Sequence, residues 1–299
     1  MSNMRENFLE PETRCDTYIS AEKKLAWKCM LDMLEEFIRV CKKYNFTYYA
    51  MGGTMLGAAR HQGMIPWDDD IDVMMPREDY DRIQEVLQKE LPSYMFLQST
   101  LTDEQYMNPH LKIRDSRTSG IDLRYVAKGY HFNHGIFIDI FPLDGCPDDE
   151  SQLRRQIRKS VFWKRCELFT YGNNHKTPKA LLKHYYCRLV VALMGRARYY
   201  RLRESFFAKY DIASCSRLVA SAATFGYDTR YAWSVELFDG EATELPFEYL
   251  SVSVPKQYEK ILSITYGDWH KLVRGDSMHG ELILDARTPY PQKLLGMTL

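Results

Sequence analysis

The chain is expected to adopt an α+β fold: a mixed α/β sheet flanked by helices, with a basic helical appendage. Three observations point there. Short apolar runs rich in β-branched and aromatic residues alternate with segments of helical periodicity. Glycine and aspartate motifs fall at the ends of those runs, where open sheets place their chemistry. Residues 151–210 form a separate block, basic and aromatic, with helical character.

In chain order, Ser20 to Tyr44 is the first helix, because Met30, Met33, Leu34, Phe37, Ile38 and Cys41 recur at helical spacing and Asn45 stops it. Thr47 to Met51 reads as a strand leading into Gly52-Gly53, where glycine lets the backbone turn sharply and approach a ligand. Thr54 suits the N-cap of a short helix, Met55 to Arg60, whose first N–H groups would face an anion. A second strand carries Asp70, Ile71, Asp72, Val73 and Met74, and an Arg77–Glu90 helix ends before Pro92. Strands are expected at 94–98 and 110–114, then at Gly135–Phe141, an apolar run with Asp139 inside it.

The acids carry the chemistry. Side chains two apart on a strand share a face, so Asp70 and Asp72 project together from residues roughly 6.6 Å apart. Paired carboxylates repel unless protonated or neutralised by a cation. A hard ion such as Mg²⁺ (or Mn²⁺), held by carboxylates and substrate phosphates, is the natural neutraliser. Asp139, in a buried strand, needs a partner because an unpaired carboxylate there costs several kcal/mol; a metal or a substrate hydroxyl proton would supply one. Asp144, in Pro142-Leu143-Asp144-Gly145, reads as a cap of the next turn, and Asp68 and Asp69 as loop acids or caps. Arg60, Lys112 and Arg114 are candidates for the charge of a transferring phosphoryl group. His61, His131 and His134 stay outside the catalytic set, and Trp67 and Trp269 are expected to shape the pocket.

A net charge of zero conceals an asymmetry. Residues 151–210 hold fifteen Lys or Arg against Glu167 and Glu204, a net +13 that leaves −13 on the remainder. Two helices are expected, Ser151–Thr170 and Pro178–Lys209, joined at Gly172-Asn173-Asn174 and carrying aromatic pairs such as Phe162-Trp163 and Tyr185-Tyr186. Such a hairpin suits an anionic membrane surface or a phosphate-bearing polymer, or else packs on an acidic core. No nucleic-acid partner is expected, since no recognisable module accompanies the charge. Seven scattered cysteines without a C-x-x-C pair, and a polar Met1–Glu12, fit a cytoplasmic protein, peripheral at most to the inner membrane face. The longest uncharged stretch, 44–59, is shorter than the ~20 apolar residues a span requires.

Taken together, Gly52-Gly53-Thr54-Met55-Leu56-Gly57-Ala58-Ala59-Arg60-His61, Ile65-Pro66-Trp67-Asp68-Asp69-Asp70-Ile71-Asp72-Val73 and Pro76-Arg77-Glu78-Asp79-Tyr80 resemble the signature of the LicD family. Lys112-Ile113-Arg114-Asp115 with Thr118, the 136–144 run, and a C-terminal block (Val254-Pro255 to Tyr258, Leu262, Tyr266-Gly267-Asp268-Trp269) extend the resemblance over about residues 44–270. It implies a nucleotidyltransferase-like catalytic core and metal-dependent transfer of a phospho-alcohol, typically phosphocholine from CDP-choline, to a cell-surface glycan such as teichoic acid or lipopolysaccharide. Fukutin-type transferases are more distant relatives. On this reading Asp70, Asp72 and Asp139 are catalytic and metal-binding, while Gly52, Gly53, Thr54, Arg60, Lys112 and Arg114 hold a CDP-alcohol donor. The acceptor would be a phosphate-bearing or lipid-linked glycan. The expected divisions are an N-terminal helical segment (1–45), the catalytic core (46–150), the basic insertion (151–210) and a C-terminal part completing the catalytic domain (211–299). Two alternatives stay open: a metal-dependent nucleotide-sugar glycosyltransferase, and an inactive glycan- or membrane-binding relative.

Overall fold

The first long helix, α1 (Ala21–Tyr44), is bounded as its sequence predicts: the Ser20 side chain accepts from the Lys23 N–H, and Asn45 ends the helix in the left-handed region at φ 54°. Its apolar face buries Trp27, Met30, Leu34 and Phe37 completely, so the helix belongs to the main core. A computed structural model supplies these coordinates and describes residues 7–106, 108–171, 177–220, 232–275 and 282–297. The link expected at Gly172-Asn173-Asn174 lies outside them.

Ahead of α1, a hairpin joins β1 (Glu12–Arg14) to β2 (Thr17–Ile19) through Cys15 and Asp16, both at positive φ. Next come β3 (Tyr49–Ala50), α2 (Gly52–His61), β4 (Asp72–Pro76), α3 (Arg77–Glu90), β5 (Met95–Gln98) and β6 (Leu111–Asp115). They are followed by β7 (Ser119–Asp122), the short helix α4 (Leu123–Val126) and β8 (Ile136–Cys146). Strand β3 is shorter than the Thr47–Met51 run, because only two of its residues meet β4 in the ladder.

Strand β8 organises the sheet. All eleven residues are buried, as a near-continuous apolar run between neighbours on both faces requires. It pairs parallel with β4 and antiparallel with β6, while Asp144–Cys146 pair with β9 (Arg217–Val219), which continues to β10 (Ala232–Ser234). Strand β5 lies outside β6, β3 lies outside β4, and α1 packs over β8 and β6. A C-terminal hairpin, β11 (Thr243–Phe247) with β12 (Leu250–Val254), sets Phe247 and Val252 into the same core, and α8 (Tyr258–Tyr266) packs near α2. Strand β13 (Leu282–Asp285) pairs with β7, and α9 (Tyr290–Leu295) follows. The mixed order of helices and strands is α+β, as the sequence predicts.

The basic block is helical but divided differently from expectation: α5 (Glu150–Tyr171), α6 (Pro178–Met194) and α7 (Arg196–Phe207). Gly195, at φ 79° and ψ 145°, breaks the expected second helix in two. The block is anchored to the sheet. Leu153 and Ile157 of α5 form a buried cluster with Cys146, Val219 and Ala232. On α7, Arg203 is buried and donates to the Thr100 hydroxyl at 3.2 Å, and the Tyr200 hydroxyl donates to Gln84 at 3.3 Å.

Asp144 is not the turn cap that Pro142-Leu143-Asp144-Gly145 suggests. It lies within β8, fully buried, and accepts two bonds from Arg77 at 2.6 and 3.0 Å. Arg77 also reaches Glu204 of α7 at 2.9 Å. A buried pair broken on one side leaves an uncompensated charge, typically about 3–5 kcal/mol. Urea melts of Arg77→Ala are therefore expected to show a loss of that size, with the Arg77→Met, Asp144→Asn double variant losing clearly less; a loss below about 1 kcal/mol in Arg77→Ala would contradict the pairing.

Candidate active site

The strand register assembles the site. Asp72 opens β4 directly opposite Asp139 of β8, and Asp139 stands opposite Lys112 of β6. Directly opposed residues bring their side chains close on one face of a sheet, so acid, acid and ammonium form a row across three strands. The Lys112 Nζ lies 2.5 and 2.8 Å from the two Asp139 oxygens, and His110 Nε2 lies 3.5 Å from Oδ1. The partner that a buried Asp139 demands is thus a lysine two residues into the neighbouring strand. Lys112 is correspondingly engaged inside the protein, and its ammonium also sits 3.5 Å from the Phe137 ring centre.

Asp70 precedes the ladder of β4, yet the extended backbone carries through it: the Asp139 N–H donates to the Ile71 carbonyl at 2.8 Å. Ile71 and Val73 are fully buried on the opposite side, so Asp70 and Asp72 share the face predicted for them. Asp68 and Asp69 join them. Among the described residues, Asp68, Asp69 and Asp70 each bring an oxygen within 4.8 Å of the others.

The electrostatics divide the acids into two kinds. Burial first, and then Asp72 and Asp68, push the Asp70 carboxyl well above the usual carboxylate range. Burial and then Asp139 do the same to Asp72, and burial with Asp69 raises Asp68 to about 6. Burial also works to raise Asp139, but Lys112 and His110 outweigh it and hold that carboxyl well below the usual range. One acid is compensated, and its neighbours repel one another. Such a set of hard oxygen donors fits Mg²⁺ or Mn²⁺ by ligand type and by charge.

Gly52 and Gly53 lie against these acids. Gly52 opens α2 at φ 55°, and a β-carbon there would come 3.8 Å from the Asp72 carboxylate and 3.7 Å from the Tyr266 hydroxyl. A β-carbon on Gly53 would meet an Asp68 oxygen at 2.5 Å, closer than van der Waals contact allows. Helix α2 starts three residues earlier than expected, with Met51 at its cap position and no side-chain cap bond. Thr54 therefore does not cap it. Its buried hydroxyl instead accepts from the Asp72 N–H at 2.8 Å and ties α2 to β4.

A cavity of about 310 Å³ opens beside the acids, lined by Gly53, Asp68, Arg60, Trp67, Tyr266 and Trp269 among others. Trp67 and Trp269 shape it as expected. Arg60 forms part of its wall, with Nη1 donating to the main-chain carbonyls of Trp269 and Lys271 at 2.9 and 3.0 Å. It thereby pins the loop that carries Asp268, which is exposed at the rim. Arg114 is placed elsewhere. It is buried, donates to Gln98 at 2.5 Å and to the Gly135 carbonyl at 2.6 Å, and is not among the described residues lining the cavity. His110 was not singled out from the sequence, although His110-Leu111-Lys112 has the alternation that puts both polar side chains on one strand face.

Residues 45–183 match a family model described as LicD/FKTN/FKRP, nucleotidyltransferase domain. The chain is 30% identical over 249 residues to the lipopolysaccharide cholinephosphotransferase LicD of Haemophilus influenzae, covering 81% of this chain and 89% of that protein. The chain belongs to the LicD family. With that membership it is a phosphotransferase, and the acids and glycines described above fall inside the matched domain. Uncharacterised proteins of Rickettsia prowazekii (34% identity, 30% of this chain and 31% of that protein) and Rickettsia typhi (38%, 23% and 21%) share shorter stretches with this LicD-family chain.

The sign of the charge balance makes a stability prediction. A carboxyl whose proton affinity is raised by folding stabilises the fold below its unfolded pKa, and that stability is lost as pH rises through the folded value. Asp68, Asp70 and Asp72 are of this kind, whereas the stability from Asp139 is lost only in strong acid. In chelator, the melting temperature is expected to fall between about pH 5 and about pH 7.5. A flat or rising profile in thermal melts would show that these acids are not coupled in solution.

Proposed function

We propose that this protein transfers phosphocholine from CDP-choline to a cell-surface glycan, lipopolysaccharide or teichoic acid, at the cytoplasmic side of the membrane. The observation that supports the reading is the row of Asp72, Asp139 and Lys112 across the sheet, with Gly52 against Asp72 and Gly53 against Asp68, whose segment also lines an aromatic-walled cavity. The kinship with a lipopolysaccharide cholinephosphotransferase supports the choice of alcohol.

Phosphoryl transfer needs positioning and neutralisation of charge more than covalent help. The donor's phosphates would lie at the start of α2, beside Gly52 and Gly53, where the first turn of the helix offers N–H groups. Trp67, Tyr266 and Trp269 supply aromatic walls suited to a pyrimidine ring or a quaternary ammonium. Asp70 and Asp72 would hold a Mg²⁺ or Mn²⁺ ion, with Asp139 completing the set. When bound, such an ion neutralises charge on the transferring group and orients it. Lys112, paired to Asp139, keeps that carboxylate ionised and makes it a poor proton acceptor, which favours a ligand role over that of a base.

Two outcomes follow. Asp70→Asn and Asp72→Asn are each expected to lower turnover of CDP-choline at least about a hundredfold while leaving the circular dichroism unchanged, and excess EDTA to stop the wild type. Full activity in EDTA would remove the metal from the scheme. Separately, Gly53→Val should raise the KM for the donor about tenfold or more, because its side chain collides with Asp68. Calorimetric binding of CDP-choline as tight as wild type's would place the phosphates elsewhere. A panel of CDP-alcohols, read by CMP release, identifies the transferred group.

A further inference from the structure

Helix α6 has two faces that differ in kind. Its inner face carries Ala180, His184, Cys187, Val191 and Met194, all buried or half-buried. Its outer face carries Leu182, Tyr185, Tyr186, Leu189 and Leu193, each between 57% and 79% exposed. At 3.6 residues per turn these five fall within an arc of about 100°, directly opposite the inner set. They form a continuous apolar stripe along the helix, of the kind soluble surfaces rarely leave uncovered.

The charges around the stripe are of one sign. Lys179 and Lys183 project along one flank and Arg188 along the other, all exposed, and Arg198 and Arg201 of α7 are exposed as well. No Asp or Glu occurs anywhere from residue 168 to residue 203. Besides the two phenol hydroxyls of Tyr185 and Tyr186, the stripe offers no group that a protein or glycan could hydrogen-bond. Tyrosine is suited to headgroup depth, with an apolar ring and a wet hydroxyl. Flanking lysines and arginines can lay their stems on the apolar surface while their charges reach phosphate.

With seventeen residues and three cations, α6 is not built to cross a bilayer, and no helix among the described residues is long and apolar enough to do so. A helix with this division of faces lies in the plane of the interface. We propose that α6 is a membrane-surface helix that inserts Leu182, Tyr185, Tyr186, Leu189 and Leu193 into an anionic lipid leaflet, with Lys179, Lys183 and Arg188 at the phosphates. Anchoring from α5 and α7 to the sheet then holds the catalytic domain at the lipid surface. The inference stands on the helix surface and does not depend on which alcohol the enzyme transfers.

The test is co-sedimentation of the full chain with vesicles of phosphatidylglycerol and phosphatidylcholine, and with phosphatidylcholine alone. The wild type should pellet with the anionic vesicles and release as salt shortens the Debye length from about 10 Å at 0.1 M. Leu189→Glu should weaken partitioning about tenfold or more, with Tyr186→Ser as a second variant should the first fail to fold by circular dichroism. The proposal is overturned if the wild type does not bind glycan-free anionic vesicles, or if neither folded variant weakens binding. It is equally overturned if light scattering shows a dimer through this face, dissociated by Leu189→Glu, without any vesicle binding.

Discussion

Strand β8 is buried from end to end and yet carries two carboxylates, Asp139 and Asp144, five residues apart. Neither is tolerable there alone, and each is answered by a cation from a different element: Lys112 from β6, and Arg77 from the start of α3. These two ion pairs set much of the architecture. The first fixes β6 against β8 with its lysine in the row that also holds Asp72. The second clamps α3 onto β8, and through Glu204 it draws α7 onto the same guanidinium.

The two pairs have different chemical settings. Around Asp144 each carboxylate has a cation in reach: Arg77 faces Asp144, Glu204 and, at longer range, Asp81, and Arg203 also pairs with Glu204. Around Asp139 the balance is broken deliberately on one side, where Asp68, Asp69, Asp70 and Asp72 crowd together against the lysine's single charge. Crowded, buried carboxylates of this kind cost folding free energy unless protonated or neutralised, and the proposed metal site rests on that cost. Gly53 follows from the same crowding, since a side chain there would occupy the position of the Asp68 carboxylate, whereas Gly52 answers to its positive φ.

Much of this was legible along the chain. The apolar spacing of α1, the Arg77–Glu90 helix, the shared face of Asp70 and Asp72 and the burial of Asp139 all follow from local periodicity. What periodicity does not carry is the partner across the sheet. Lys112 lies 27 residues from Asp139 and Arg77 lies 67 from Asp144, so the pairings are invisible in the sequence, where Lys112 reads as a phosphate-holding residue and Asp144 as a turn cap. Thr54 was misread for a related reason. A threonine after two glycines has the local form of a cap, but the Asp72 N–H eighteen residues away claims its hydroxyl. The break at Gly195 was missed because one glycine in a helical pattern is ordinarily tolerated, and here its positive φ turns the chain so that Arg203 meets Thr100.

The shared guanidinium of Arg77 also bears on whether the basic block can be separated from the sheet. Along the sequence the basic block resembles a cassette, with a sharp change of charge at both borders. In three dimensions there is no such seam: Glu204 answers a cation of the sheet layer, and Leu153 and Ile157 close an apolar cluster completed by Cys146, Val219 and Ala232. Excising the block would uncover that cluster at both ends of the cut. The block is therefore a structural part of the sheet layer, and removing it would expose core rather than free a self-contained appendage.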